Sequence, residues 1–216
     1  MIASAKSSEA DNLHALAPPS DWVQRWSHLV KPGGVVLDVA CGQGRHAHWF
    51  HALNCKLVVV DRSQEAIEIL AHHSNQYEAV VADIENGPWP FPGRQFDAVV
   101  VINYLWRPLM PTLLSSLAPS GVLIYETFSE GNETVGKPSR PDFLLHTGEL
   151  LALCKGLRVV AFEEGFVTGT DGQLPRFIQR IVAVCEVSEV FESGGEINEP
   201  DVSAPKILKP NRYRLI

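Results

Sequence analysis

Apolar residues recur along the chain with two alternating periods. Trp22, Trp26, Leu29 and Val30 fall at i, i+4, i+7 and i+8 behind Ser20, a good helix cap, and ahead of the Pro32-Gly33-Gly34 stop. That spacing predicts an amphipathic helix over 20–30. Val35 to Ala40 is then a short apolar run broken by one acid, Asp38, and Gly42 and Gly44 lead into a helical stretch from Arg45 to Leu53. The order reads strand, tight turn, helix. It repeats in Lys56 to Asp61, a buried strand, followed by Ser63, which can cap a helix presenting Ile67, Leu70 and Ala71 on one face. Tyr77 to Asp83 and Phe96 to Asn103 are the third and fourth strands. Between them Pro88, Pro90 and Pro92 exclude a helix, leaving a loop that carries Trp89 and Phe91.

The second half continues the alternation. Trp106, Leu109, Met110, Leu113, Leu114 and Leu117 repeat at three and four, with Pro108 and Pro111 tolerable near a first turn, so a core helix is expected. Pro119-Ser120-Gly121 turns into a fifth strand, Val122 to Tyr125, and Leu150 to Cys154 is helical with Thr147 as its expected cap. Leu157 to Phe162 and Phe177 to Val184 are late strands, separated only by a loop around 165–175, which suits a hairpin better than a helical crossover. Near-continuous apolar strands alternating with helices imply an α/β protein with a mostly parallel, doubly wound sheet of seven strands, the last one antiparallel. The expected domain spans 20–186. A small polar segment, 1–19, precedes it, and an appendage, 187–216, follows, acidic at Glu189, Glu192, Glu196, Glu199 and Asp201 and basic at Lys206, Lys209, Arg212 and Arg214.

Composition narrows the function. With 45% hydrophobic and 20% charged residues, the 216-residue chain can bury one core. Its net charge of -7 offers no general attraction to a phosphate backbone, so no nucleic-acid partner is expected. The start of the chain has no apolar run behind a basic patch, so neither a signal peptide nor a membrane anchor is expected and the cytoplasm is the default. Cys41, Cys55, Cys154 and Cys185 are scattered without zinc spacing and read as small buried hydrophobes. Of His46, His48 and His51 only the last two share a helix face, so no metal site is expected.

The stretch from Val36 to Arg45, VLDVACGQGR, carries the chemistry. Gly42 and Gly44 let the backbone turn sharply at the carboxyl edge of the first strand, where open α/β sheets bind ligands. Asp38 inside that strand is costly to bury without a donor or a cation. Asp61 ends the second strand, where a carboxylate can accept ribose hydroxyls. The stretch resembles motif I of the class I S-adenosylmethionine-dependent methyltransferases, a family with a Rossmann-like sheet. The resemblance spans roughly Val35 to Val184. It implies S-adenosylmethionine as cofactor and S-adenosylhomocysteine as product, with Asp38 near the methionyl end, Asp61 on the ribose, and Asp83 and Ile84 beside the adenine. Ala40, Gly42, Gly44, Arg62 and Asn103 complete the implied cofactor set. A strand-end acid can also simply cap the next helix, but Asp38, the two glycines, Asp61 and Asp83 form one ordered series. Gly42 to Ala47 also fits the G-x-G-x-x-A pattern of NAD(P)- or flavin-binding oxidoreductases, which is the rival reading. A cofactor-free binding module is a weaker one.

The acceptor is less legible. After the fourth strand, Ile102-Asn103-Tyr104-Leu105-Trp106-Arg107-Pro108 lacks the [DNS]-P-P-[YFW] sequence of nucleic-acid amino methyltransferases. The segment Tyr125 to Leu151 looks like its counterpart in small-molecule methyltransferases related to the tellurite-resistance and thiopurine enzymes, which implies a small-molecule acceptor. A protein or RNA acceptor is the alternative. A loop this long suggests a lid or binding surface, and Asn103, Tyr104, Arg107, Glu126, Lys137 and Arg140 are the candidates to position an acceptor, with Asn132 beside them. Lys137 and Arg140 read equally well as solvated loop charges. No catalytic base can be chosen between His46 and His146.

Overall fold

A computed structural model describes residues 18–73, 77–169 and 174–186. The expected appendage, 187–216, and all of the polar N-terminal segment up to residue 17 lie outside the described residues. The strands are β1 (Val35–Val39), β2 (Lys56–Asp61), β3 (Tyr77–Val81), β4 (Phe96–Ile102), β5 (Leu117–Phe128), β6 (Arg158–Val167) and β7 (Arg176–Val184). They form one sheet in the order β3-β2-β1-β4-β5-β7-β6. The pairings from β3 through β5 are parallel, and β7 runs antiparallel to both of its neighbours, β5 and β6. The antiparallel last strand of the sequence analysis is therefore present, inserted between β5 and β6.

Side chains alternate across the sheet, so each central strand feeds two cores. On one face Val36, Leu57, Val59, Val100 and Ile124 pack with Trp22 and Trp26 of helix α1 (Asp21–Trp26), Phe50 of α2 (Arg45–Ala52) and Leu70 of α3 (Gln64–His73). On the other, Leu37, Val58, Val99, Leu123 and Tyr125 meet Leu113 of α4 (Met110–Ser115) and Leu150 of α5 (Glu149–Leu153). Both faces are covered, which explains why β1, β2 and β4 read as continuous apolar runs. Ser20 caps α1 by accepting from the Trp22 amide, and Ser63 Oγ accepts from the Ala66 amide, as their positions suggested.

Several boundaries differ from expectation. The helix carrying Leu109 to Leu114 begins as a 3-10 turn, Arg107–Leu109, and ends at Ser115, and Leu117 already pairs with Phe96 in the sheet. The Pro119-Ser120-Gly121 turn sits inside β5 as a bulge, because the next paired residues are Ala98 and Val122. Thr147 does not cap α5. Its place is taken by left-handed Gly148, which has no capping side chain, while the buried Gln179 of β7 accepts from the Leu150 amide at 3.1 Å. That cap comes from a strand 29 positions later and leaves no local sequence signal. Ala71 is exposed, so the apolar stripe of α3 is narrower than expected.

Candidate active site at the carboxyl edge of the sheet

The parallel register sets Val39 beside Val60 and Val101, and Asp61 beside Val81, so the carboxyl ends of β1 to β4 open on one edge. Ala40 and Asn103, the residues just past β1 and β4, both hold positive φ, 52° and 57°. Non-glycine residues rarely adopt that conformation, and it clusters at functional edges. Beyond Ala40 the chain bends through a turn in which the Gly42 amide donates to Asp61 Oδ2 at 2.8 Å. A Cβ on Gly42 would meet nothing within 4 Å, so open space lies beside the turn. At Gly44, with φ of +79°, a Cβ would collide with the Leu70 side chain. One glycine leaves room and the other allows α2 to pack close.

A cavity of about 390 Å³ opens there, lined by Ala40, Asp61, Arg62, Ala82, Asp83, Ile84, Glu85, Tyr104 and Phe143. Its size falls in the range of small-ligand sites. Asp61 also accepts the Ser63 amide, and Asp83 accepts the amides of Glu85 and Asn86, so both acids brace their own turns while facing the cavity. The Asn86 side-chain amide and these turn N–H groups hold the Asp83 carboxyl below its ordinary range. Burial, and then the neighbouring Glu85 carboxylate, pushes the Tyr104 phenol up.

Asp38 is only 2% exposed, and its Oδ2 has no hydrogen-bond partner. Burial pushes its pKa up to about 7, against the opposing pull of the Ala47 amide and the Arg45 guanidinium. A buried acid left half-satisfied is expensive. Nearby, burial and then Arg45 push His46 down to about 3, and His46 Nε2 accepts the Ser20 amide. A neutral, structurally engaged His46 is no ready base. His146 instead lies exposed, 2.6 Å from Glu130. Among the described residues no cluster of three or more potential ligands suits a metal ion; His48 faces the Tyr77 hydroxyl at 3.0 Å.

The sequence-derived acceptor residues separate into groups. Asn103 and Tyr104 stand at the end of β4 and Tyr104 lines the cavity. Glu126 is buried in β5, accepting from Ser20 Oγ at 3.2 Å and Arg180 Nη1 at 3.3 Å, with Arg176 Nη2 at 3.8 Å. Arg107 is committed elsewhere: it makes a two-pronged pair with Glu149 and donates to the Asp142 and Leu144 carbonyls. Arg140 pairs with Asp142, Lys137 is exposed, and Asn132 is buried, tying Pro138 to Phe177. Three cavity residues, Ala82, Glu85 and Phe143, and the arginines around Glu126 escaped the sequence analysis. The first two adjoin Asp83 and Ile84, a local hint; the others meet the site only through the fold.

Residues 36–121 match a family described as a methyltransferase domain. Carboxy-S-adenosyl-L-methionine synthase from Escherichia coli is 28% identical over 123 residues, 50% of each chain. Among solved structures, TehB from Haemophilus influenzae superposes with a TM-score of 0.62 at 19% identity, covering 76% of this chain and 61% of that one. A TehB-like SAM-dependent methyltransferase from Corynebacterium glutamicum gives 0.59 at 18%, covering 82% and 94%. The chain thus spans about half the length of the curated relative it matches. The structural likeness defines the fold, and within it residues 36–121 are similar to a methyltransferase domain. No helix among the described residues is long and apolar enough to cross a membrane.

Proposed function

We propose that this protein is an S-adenosylmethionine-dependent methyltransferase acting on a small molecule. The observation that carries the reading is the cavity at the edge of β1 to β4, with a half-satisfied buried carboxylate, Asp38, beside the turn that opens it. The residues present fit the cofactor. Asp38 offers an unused oxygen for an ammonium, the Gly42 turn leaves space, and Asp61, Arg62, Asp83 and Ile84 line a nucleoside-sized cavity. The dinucleotide rival loses ground because its sheet is parallel to the last strand, whereas here β7 runs antiparallel between β5 and β6.

When bound, the cofactor supplies a methyl group on a sulfonium, already activated for in-line displacement. The chain's part is to bind, orient and exclude water. Asp38 holds the ammonium of the methionyl end, and Asp61 accepts ribose hydroxyls. Asp83 and Ile84 border the base, with Ala40, Gly42 and Gly44 shaping the cradle and Arg62 and Asn103 at its rim. Tyr104 and Asn103 face the acceptor side, and Glu126 acts there through its bonds to Ser20 and Arg180. Lys137 and Arg140 stand on the loop above. That loop is pinned at its two ends, where the Ser129 amide donates to the Phe177 carbonyl and the Leu145 amide to the Phe128 carbonyl. Four free cysteines suit a reducing cytoplasm.

Calorimetry with S-adenosylhomocysteine tests the cofactor. Binding is expected, and Asp61→Ala should weaken it by about 1.5 to 3 kcal/mol, the worth of hydrogen bonds to a charged group. Tight NADH binding with none of the homocysteine nucleoside would remove the proposal. A labelled-methyl screen of thiols, oxyanions, phenols and carboxylic acids then tests the acceptor class, and labelling of macromolecules alone would exclude a small molecule.

A further inference from the structure

We infer that Phe143 is the roof of the nucleoside cavity, stacking on the cofactor's base, and that Arg107 is the positioning residue that sets it there. The inference rests on the cofactor reading above and deepens it.

Phe143 comes from far along the chain. It ends a 3-10 turn, Pro141–Phe143, in the segment after β5, yet it lines the same cavity as Asp61, Asp83 and Ile84. Phe143 is 37% exposed, with the Arg140 guanidinium over one face of its ring at 5.2 Å from the centroid, and it shares the cavity with three carboxylates, Arg62, the Tyr104 phenol and the smaller apolar side chains of Ala40, Ala82 and Ile84. A nucleobase presents a flat π-face, and an aromatic ring is its usual partner. Ile84 supplies the apolar wall from the β3 side.

Arg107 explains how a residue on a loop gains a fixed place. The carbonyls on either side of Phe143, those of Asp142 and Leu144, accept from Arg107 Nη1 at 3.0 Å and Nη2 at 2.7 Å. The same guanidinium grips Glu149, Nε to Oε1 at 2.7 Å and Nη2 to Oε2 at 2.9 Å. Two-pronged charged pairs hold geometry better than single hydrogen bonds. Arg107 opens the turn that follows β4, three residues past Tyr104, which itself lines the cavity. One side chain thus locks the roof to the strand whose end forms the floor. The cost of that arrangement is that Arg107 has no free fork for an anionic acceptor, the role its position in the sequence suggested.

A double-mutant cycle tests both halves, using S-adenosylhomocysteine and adenosine as probes and calorimetry as readout. Phe143→Ala should weaken both probes by the same factor, roughly five- to hundredfold, while Phe143→Tyr stays within about twofold of the native chain. Arg107→Met should weaken binding in the native background and by less than about twofold in the Phe143→Ala background, since its effect passes through the ring. If Arg107→Met does not fold, Glu149→Gln loosens the same clasp and replaces it in the cycle. Unchanged probe affinity in Phe143→Ala refutes the roof, and equal losses from Arg107→Met with and without the ring refute the positioning role. A native chain that binds neither probe overturns the cofactor reading itself, a different result from either.

Discussion

Replacing Asp38 by Asn isolates the electrostatic cost of burying that carboxyl group. Burial raises the Asp38 carboxyl from 3.8 to about 7. A rise of about three pH units at about 1.36 kcal/mol each amounts to about 4 kcal/mol against the folded, cofactor-free state once the group is ionised. The sign follows from proton binding: between pH 4 and 7 the folded chain holds a proton that the unfolded chain has released, so stability falls as pH rises through that window. From pH 5 to 8 this one carboxyl should remove about 2 to 3 kcal/mol of unfolding free energy in the native chain, and nothing in Asp38→Asn. Urea unfolding of both chains at the two pH values reads the difference directly. The cofactor reverses the balance, because an ammonium beside Asp38 favours the ionised form. Binding of S-adenosylhomocysteine at pH 6 should therefore release a proton, visible as a calorimetric enthalpy that changes with the buffer, and Asp38→Asn should lose both the release and part of the affinity. Parallel pH profiles for the two chains would show that Asp38 carries no raised pKa and would refute the reasoning.

Gly44→Ala should lower stability by about 1 to 3 kcal/mol, the cost of a strained backbone, and weaken the nucleoside, because its Cβ meets Leu70 at a positive φ; melting curves and calorimetry check both. Lys137→Ala, on an exposed loop position, should alter turnover of an identified acceptor without moving cofactor affinity; equal loss of both points to folding instead. Cys154 is fully buried and burial pushes its thiol up to about 12, so native protein should resist a thiol reagent there at neutral pH until urea unfolds it, as peptide mapping after labelling would show.

The sheet was legible because its central strands are buried on both faces and their apolar runs need no partner to be recognised, as in Lys56–Asp61 and Phe96–Ile102. What failed was local reasoning about ends. Leu117 continued a helical spacing but was taken by its pairing with Phe96, and Thr147 was passed over because Gln179 reaches α5 from another strand. The cradle acids were visible for a similar reason to the strands: each stands at or within a strand whose end the pattern already fixed. Phe143 and Arg176 carry no such marker, since their place beside the site is made by the loop and the hairpin. Arg107 was visible as a charge, but its partner Glu149 lies 42 positions on, and no local rule couples them.

The insertion of β7 between β5 and β6 sets an order on assembly. Arg158–Val167 leaves the ribosome first, yet among the described residues it is joined to the sheet only through Arg176–Val184. The earlier strand must wait beside an incomplete edge until its successor arrives, and the Trp22 indole waits too, since it donates to the Ile181 carbonyl. A chain cut short before residue 176 would forfeit two strands rather than one, together with an anchor for the first helix.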